Sequence, residues 1–225
     1  MIVFIDGPDG SGKSTLIAHL APALVAHGRT VAHAPPLWTY LNELSAPEDF
    51  APWVRTTTGS QIAHALLEAK TRRIQWLITT AARLAQDVVL VDRGPKTVIC
   101  SALAHHKTGI PLPNDPQLPY PSTDQNRAQL EQHVHRLAAF EACTSIELRL
   151  PEQPGGLDVI LPRLSQREEL PPSYVGYLDA LIAEMATFSW AVLPLLPLDA
   201  TAGVAVNAEA SLTSVLGGLA ALPDA

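Results

Sequence analysis

Residues Gly7-Pro8-Asp9-Gly10-Ser11-Gly12-Lys13-Ser14 carry the spacing G-x-x-x-x-G-K-[ST], a pattern whose chemistry is the grip of a polyphosphate. Glycines at these positions let successive backbone N–H groups curl around an anion without Cβ clashes. A helix beginning near Lys13 would add its free N–H groups and the positive end of its dipole. Lys13 should reach the β- and γ-phosphates of a nucleoside triphosphate, Ser14 should bind Mg²⁺, and Thr15 completes the loop-to-helix junction. Far along the chain, Asp92 follows Val88-Val89-Leu90-Val91, the arrangement in which a carboxylate at a strand end orders Mg²⁺ or its waters near the phosphates. The alternative for Asp92 is a cap for the following helix. ATP and Mg²⁺ are the ligands these residues imply.

Positioning such a loop requires a buried strand before it and a helix after it, and the pattern supplies both. Ile2 to Ile5 is a short continuous apolar run, as expected of a central parallel strand. Leu16, Ile17, Leu20, Leu24 and Val25 recur at helical spacing, and Gly28 is placed to end that helix in the left-handed conformation. Thr30–Ala34 reads as a second strand stopped by Pro35-Pro36. Residues 37–57 lack periodicity and read as loop with room for a short helix.

Further on, Gln61–Gln86 reads as a long amphipathic helix, Val88–Val91 as the clearest strand, and Lys96–His106 as helix. The stretch Ile110–Pro121 contains five prolines and reads as a stiff loop. Then come a helix over Gln125–Ala142, a strand over Ser145–Leu150, helices over Asp158–Glu168 and Ser173–Phe188, a strand over Val192–Leu198, and a last helix over Ala208–Leu222. Pro194 and Pro197 send that last strand to a sheet edge. Alternating strands and helices predict a parallel sheet covered on both faces by right-handed crossovers.

Composition narrows the function. A chain of 225 residues fits one domain with a sizeable core. The formal net charge of −7, without a long Lys/Arg run, argues against nucleic acid as a partner. No segment has the apolar length of a membrane span or of a signal peptide, so a cytoplasmic location is expected. Cys100 and Cys143 lack metal-ligand or redox spacing and read as buried thiols. His105-His106 and His133-x-His135 do not converge on one ion from a helix.

The segment F-I-D-G-P-D-G-S-G-K-S-T resembles the opening of the thymidylate kinases, and V-L-V-D-R resembles their second signature, in which an Asp-Arg pair ends the third strand. Leu67-Glu68-Ala69-Lys70-Thr71-Arg72 resembles the part of their long helix that carries an arginine. The resemblance spans nearly the whole chain, to Asp199-Ala200, where the family's adenine-binding loop begins. It implies a single P-loop NTPase domain over residues 1–225, a three-layer α/β/α fold with a five-stranded parallel sheet, and a short helical lid over approximately residues 156–170. By the same resemblance Arg72 grips an acceptor phosphate, with its neighbour Arg73 the other candidate, and Arg93 bridges acceptor and donor. Arg163 and Arg167 belong to the lid and neutralise the transferring phosphoryl group. Surface ion pairing with Glu168 and Glu169 is their alternative. Asp9 faces a sugar hydroxyl. Asp6 matches a general base of the related deoxynucleoside kinases, or else caps backbone N–H groups of the loop. A homodimer is also implied.

The resemblance departs in the acceptor region, where Gly94-Pro95-Lys96-Thr97-Val98-Ile99-Cys100-Ser101-Ala102 keeps only Thr97 as the expected hydroxyl, and Ala34-Pro35-Pro36-Leu37-Trp38 replaces an arginine-bearing segment. Trp38, Tyr40, Trp53 and Trp76 could stack on a ring there or serve packing alone. The leading expectation is an ATP-dependent nucleoside-monophosphate kinase of thymidylate kinase type. A nucleoside or other small-molecule hydroxyl kinase and a P-loop ATPase switch are the alternatives.

Overall fold

A computed structural model of the protein describes residues 1–42, 58–80, 86–108, 123–151, 155–166, 170–189 and 192–222. The five strands are β1 (Ile2–Asp6), β2 (Val31–His33), β3 (Val88–Asp92), β4 (Cys143–Arg149) and β5 (Leu195–Asp199). Helices among the described residues are α1 (Lys13–Ala26), α2 (Leu37–Asn42), α3 (Gly59–Thr80), α4 (Pro95–Thr108), α5 (Thr123–Phe140), α6 (Gly155–Ser165), α7 (Pro172–Thr187) and α8 (Val204–Ala220).

Every strand pair is parallel, in the order β2-β3-β1-β4-β5. The chain leaves β1 toward one side to make β2 and β3, then crosses to the other side to make β4 and β5. The carboxyl end of β1 is therefore the point where the winding reverses, and the crevice beyond it is where an open α/β sheet receives ligands.

Alternation along β1 divides the core. Ile2 and Phe4 face α3 and α5, packing with Leu67, Ile74, Leu77 and Val134. Val3 and Ile5 face α1 and α8, packing with Leu16, Leu20, Leu24 and Val215. Each such side chain, removed almost wholly from water, contributes about 1.5–3 kcal/mol of transfer free energy. A third cluster joins α4 to α6 and α7 through Cys100, Ile160, Leu164, Tyr177 and Leu181, so α6 rests on the body of the domain beside the crevice.

The expected elements are present with shifted ends. Helix α1 stops at Gly28, whose φ of 74° is left-handed as its position predicts. Helix α6 spans Gly155–Ser165, earlier than the expected Asp158–Glu168. Strand β5 lies at the edge, as expected with Pro197 inside it. In residues 37–57 a short helix is present at Leu37–Asn42. Residues 43–57, the proline-rich 109–122 and Arg167 lie outside the described residues. Cys100 is buried and Cys143 half-buried, both free thiols. No described helix is long and apolar enough to cross a membrane.

Candidate active site

At the end of β1 the chain turns through Gly7, Gly10 and Gly12, all at positive φ (147°, 79° and 100°). A Cβ on Gly7 would stand 2.6 Å from Ser11 Oγ and 3.1 Å from the Leu148 carbonyl, so the loop closes tightly against β4. Lys13 Nζ donates to the carbonyls of Gly7 (2.7 Å) and Pro8 (2.9 Å). That arrangement sets an almost buried ammonium, with its pKa lowered by burial, at the mouth of the loop. Ser11 Oγ is buried without a partner among the described residues, a polar atom in want of a ligand oxygen. The loop forms one wall of a cleft of about 500 Å³. Asp92, Arg93, Arg163, Tyr174, Ala200 and Asn207 stand around it.

Across the loop, Arg93 Nη2 lies 2.9 Å from Asp9 Oδ1, while Lys13 Nζ lies 3.8 Å from the same oxygen. Tyr174 Oη donates to Asp9 Oδ2 at 3.2 Å. Burial pushes the Asp9 carboxyl up, but Arg93, Lys13 and the Tyr174 hydroxyl outweigh it and hold it below the usual carboxylate range. Behind Tyr174, Tyr177 stacks on His105 with centroids 4.1 Å apart and shares a 2.6 Å hydrogen bond with Ser101 Oγ. His105 is 9% exposed, and burial holds its pKa at about 4.

Arg93 is the single non-glycine residue with positive φ (54°) among the described residues, a conformation costing about 1–2 kcal/mol. Its carbonyl accepts hydrogen bonds from Lys70 Nζ (2.8 Å) and Arg73 Nη2 (2.6 Å), and Arg73 also donates to the carbonyls of Asp92 and Pro35. Gly94 follows because nothing larger fits: a Cβ there would fall 2.2 Å from Asp6 Oδ2.

Several expected site residues lie elsewhere. Asp6 is fully buried and its oxygens are engaged: Oδ1 accepts from Thr97 N (2.7 Å) and Thr97 Oγ1 (2.8 Å), and Oδ2 from Ser145 Oγ (2.6 Å). It caps the first turn of α4 through Thr97 and accepts from no loop N–H among the described residues, which corrects the expected cap on the loop, and its burial away from the cleft corrects the reading as a base. Thr97 is 1% exposed, and its hydroxyl receives the Gly7 N–H at 2.9 Å, so it anchors the loop and does not face an acceptor. Arg72 pairs with Glu68 at 2.9 Å on the outer side of α3 and does not line the cleft. The helix turns Arg73 inward instead, and Arg73 is spent on carbonyls. Trp38 is 53% exposed on α2 and also stands outside the cleft.

At the opposite end, Arg163 of α6 donates to the carbonyls of Gly10 (3.2 Å) and Ala200 (3.3 Å), spanning the phosphate loop and the turn after β5. Asp199 closes that turn by accepting from Thr201 N and Oγ1, and Asn207 Nδ2 donates to the Asp199 carbonyl at 2.8 Å. Ser14 and Asp92 both line the cleft. Asp92 Oδ1 accepts the Arg93 N–H at 2.8 Å, while the cap on α4 comes from Asp6.

These residues fit the implied ligands. The glycine-rich cradle, the partnerless Ser11 hydroxyl and the Lys13 ammonium suit a triphosphate chain. A hydroxyl and a carboxylate are hard oxygen donors of the kind Mg²⁺ takes alongside phosphate oxygens and water, and bound there the ion would neutralise charge between the β- and γ-phosphates. No cluster of three or more His, Cys, Asp or Glu residues suited to a metal occurs among the described residues.

Sequence reasoning missed Lys70, Tyr174, Tyr177, Asn207 and the role of His105. A signal existed for Lys70, which interrupts the apolar stripe Leu66, Lys70, Ile74 at i, i+4 spacing, where a solvated lysine does not belong. Tyr174 and Tyr177 at i, i+3 on a helix also share a face, but nothing in the sequence pairs them with Asp9.

The chain belongs to the AAA domain family, whose profile matches residues 2–136. Among solved structures it is similar to that of deoxyadenosine kinase from M. mycoides with bound dATP. That match has a TM-score of 0.53 and 14% identity, and it covers 96% of this chain and 100% of the other. The fold is thus the α/β P-loop kinase fold. No curated protein matches the chain.

Proposed function

We propose that the protein is an ATP-dependent phosphotransferase whose acceptor is a hydroxyl of a nucleoside-like molecule. The observation that carries this reading is the placement of Asp9, a carboxylate at the mouth of the phosphate cradle, 3.8 Å from Lys13 and gripped by Arg93. A carboxylate beside the site of the γ-phosphate still has lone pairs with which to accept a hydrogen bond from an acceptor hydroxyl and so orient it. Because its pKa is held low, Asp9 acts as a hydrogen-bond acceptor that aligns the hydroxyl. In a loose phosphoryl-transfer transition state the hydroxyl proton becomes acidic late, so a weak base suffices. Lys13 and Arg163, both lining the cleft, would meet the charge that develops on the transferring group. The likeness to a deoxyadenosine kinase at the level of fold supports the same acceptor class.

The nucleoside-monophosphate reading keeps one favourable observation, the Arg93 guanidinium, which could leave Asp9 for an acceptor phosphate. Its other expected cation, Arg72, is paired with Glu68. An ADP-release assay with Mg·ATP, run across nucleosides and nucleoside monophosphates, separates the two. Stimulation by nucleosides is expected. Stimulation by monophosphates alone would establish the second reading, and hydrolysis indifferent to every acceptor would favour a switch ATPase.

A further inference from the structure

Lys70 and Arg73 are 0% and 1% exposed. Neither forms an ion pair with a carboxylate among the described residues. Burial, with Arg73 alongside, pushes the Lys70 pKa well down, and burial brings Arg73 down to about 10, although Asp92 and Asp6 oppose both shifts; two basic groups kept side by side at such a cost suit a task apolar residues could not perform. Their hydrogen bonds converge on one short stretch of main chain. Lys70 Nζ and Arg73 Nη2 both hold the Arg93 carbonyl, and Arg73 also holds the Asp92 carbonyl at 2.6 Å and the Pro35 carbonyl at 3.3 Å. Lys70 is itself seated 5.1 Å from the centre of the Phe4 ring, on the strand that leads into the phosphate loop.

That stretch contains the left-handed Arg93 (φ 54°), followed by Gly94, which is pressed against the Asp6 carboxylate. A carbonyl in this conformation is turned away from the direction it would take in a continuing strand and needs donors of its own. Supplying them fixes the peptide plane, and the peptide plane fixes the direction of the Arg93 side chain. The guanidinium then arrives 2.9 Å from Asp9.

We infer that Lys70 and Arg73 are positioning residues, a buried cationic bracket that holds the Arg93 main chain in its left-handed turn and so aims the Arg93 guanidinium at Asp9. Neither lines the cleft, and they act through the main chain of Arg93 and its neighbour Asp92. The catalytic consequence rests on the phosphotransfer reading above, whereas the geometric claim does not.

Two variants test it. Lys70→Met removes the ammonium at similar length, and Arg73→Lys keeps the charge but cannot span three carbonyls. Folding is checked by circular dichroism. The orientation of Arg93 is read from its side-chain Nε–H signal in NMR spectra, assigned by its loss in Arg93→Lys. A Glu68→Gln control, on the same helix but outside the bracket, should leave that signal unchanged.

In folded variants the Arg93 signal should shift and exchange faster with solvent, and ATP affinity should stay near that of the parent chain. Acceptor-dependent kcat should fall about 100-fold, the cost of a misplaced group in a site of this kind. An Arg93 signal with unchanged position and exchange in a folded Lys70→Met chain would overturn the inference. Should neither variant fold alone, each is combined with Arg93→Gly, because glycine takes the left-handed conformation unaided. Recovery of folding then supports the bracket and continued failure overturns it. Absence of acceptor-stimulated turnover in the parent chain would remove the kinase reading and leave the NMR test standing.

Discussion

Arg93 and Asp9 meet at 2.9 Å across the mouth of the phosphate loop, one held at the end of β3 and the other in the turn after β1. Because β1 and β3 are neighbours with Ile5 opposite Asp92, the contact ties the two strand ends that frame the cleft into one electrostatic unit. Asp9 Oδ1 also faces Lys13 and Oδ2 receives Tyr174, so each oxygen of this carboxylate has a partner from a different element.

Replacing Lys13 by Ala removes the ammonium at the mouth of the loop. Turnover should fall by about 10²-fold or more, as when one preorganised donor is removed from a transition-state cradle, and ATP binding should weaken in calorimetry with magnesium. Parent-like affinity and turnover in the purified variant would contradict the placement of the triphosphate.

Asp9→Asn keeps the shape and removes the charge. Acceptor-dependent turnover should fall by about 10² to 10⁴, the range for an oriented proton acceptor, while ATP binding is little changed. Since the Asp9 pKa lies below its ordinary value, the parent chain should show no acid limb near neutrality from this group. A pH–rate profile tests both statements.

Asp6→Asn distinguishes the buried cap from a base. An amide cannot accept from both Thr97 and Ser145 as the carboxylate does, so one donor is left unpaired at a cost of about 1–3 kcal/mol. Urea unfolding should register that loss while the folded fraction retains turnover. A variant as stable as the parent but inactive would restore Asp6 as a catalytic group.

Acid should destabilise the fold through His105. Its folded pKa of about 4 lies below the ordinary 6.5, so the folded state favours the neutral ring, which packs on Tyr177 with Asp9 and Arg93 nearby. In that window the unfolded chain binds more protons. The contribution is therefore complete above pH 6.5 and is lost progressively as pH falls toward 4, up to about 3 kcal/mol. His105→Gln should flatten that part of the stability–pH curve measured by denaturant titration.

The fold was legible because its signals are local and redundant. The loop motif sits between an apolar run and a helical stripe, Gly28 marks a helix end, and Pro197 marks an edge. The shape of the loop was equally readable, since Gly7, Gly10 and Gly12 set it through their own backbone conformations. The acceptor half was not. Whether Asp6 or Asp9 enters the cleft depends on Thr97 and Ser145 reaching Asp6 from elements distant in the chain. Whether Arg72 or Arg73 turns inward depends on the rotation of α3 about its axis, which one residue of register decides. Tertiary partners of this kind leave no spacing to read.

The free side of β5 has a consequence for assembly. Ala200 N donates to Arg149, so the even-numbered amides of this strand point toward β4 and the odd-numbered ones outward, which puts the missing N–H of Pro197 on the open edge. A strand arriving there from a second copy would meet a gap in the middle of its ladder. Continuous sheet extension across two molecules is thereby discouraged on this flank, and association through it would have to rely on helical surfaces.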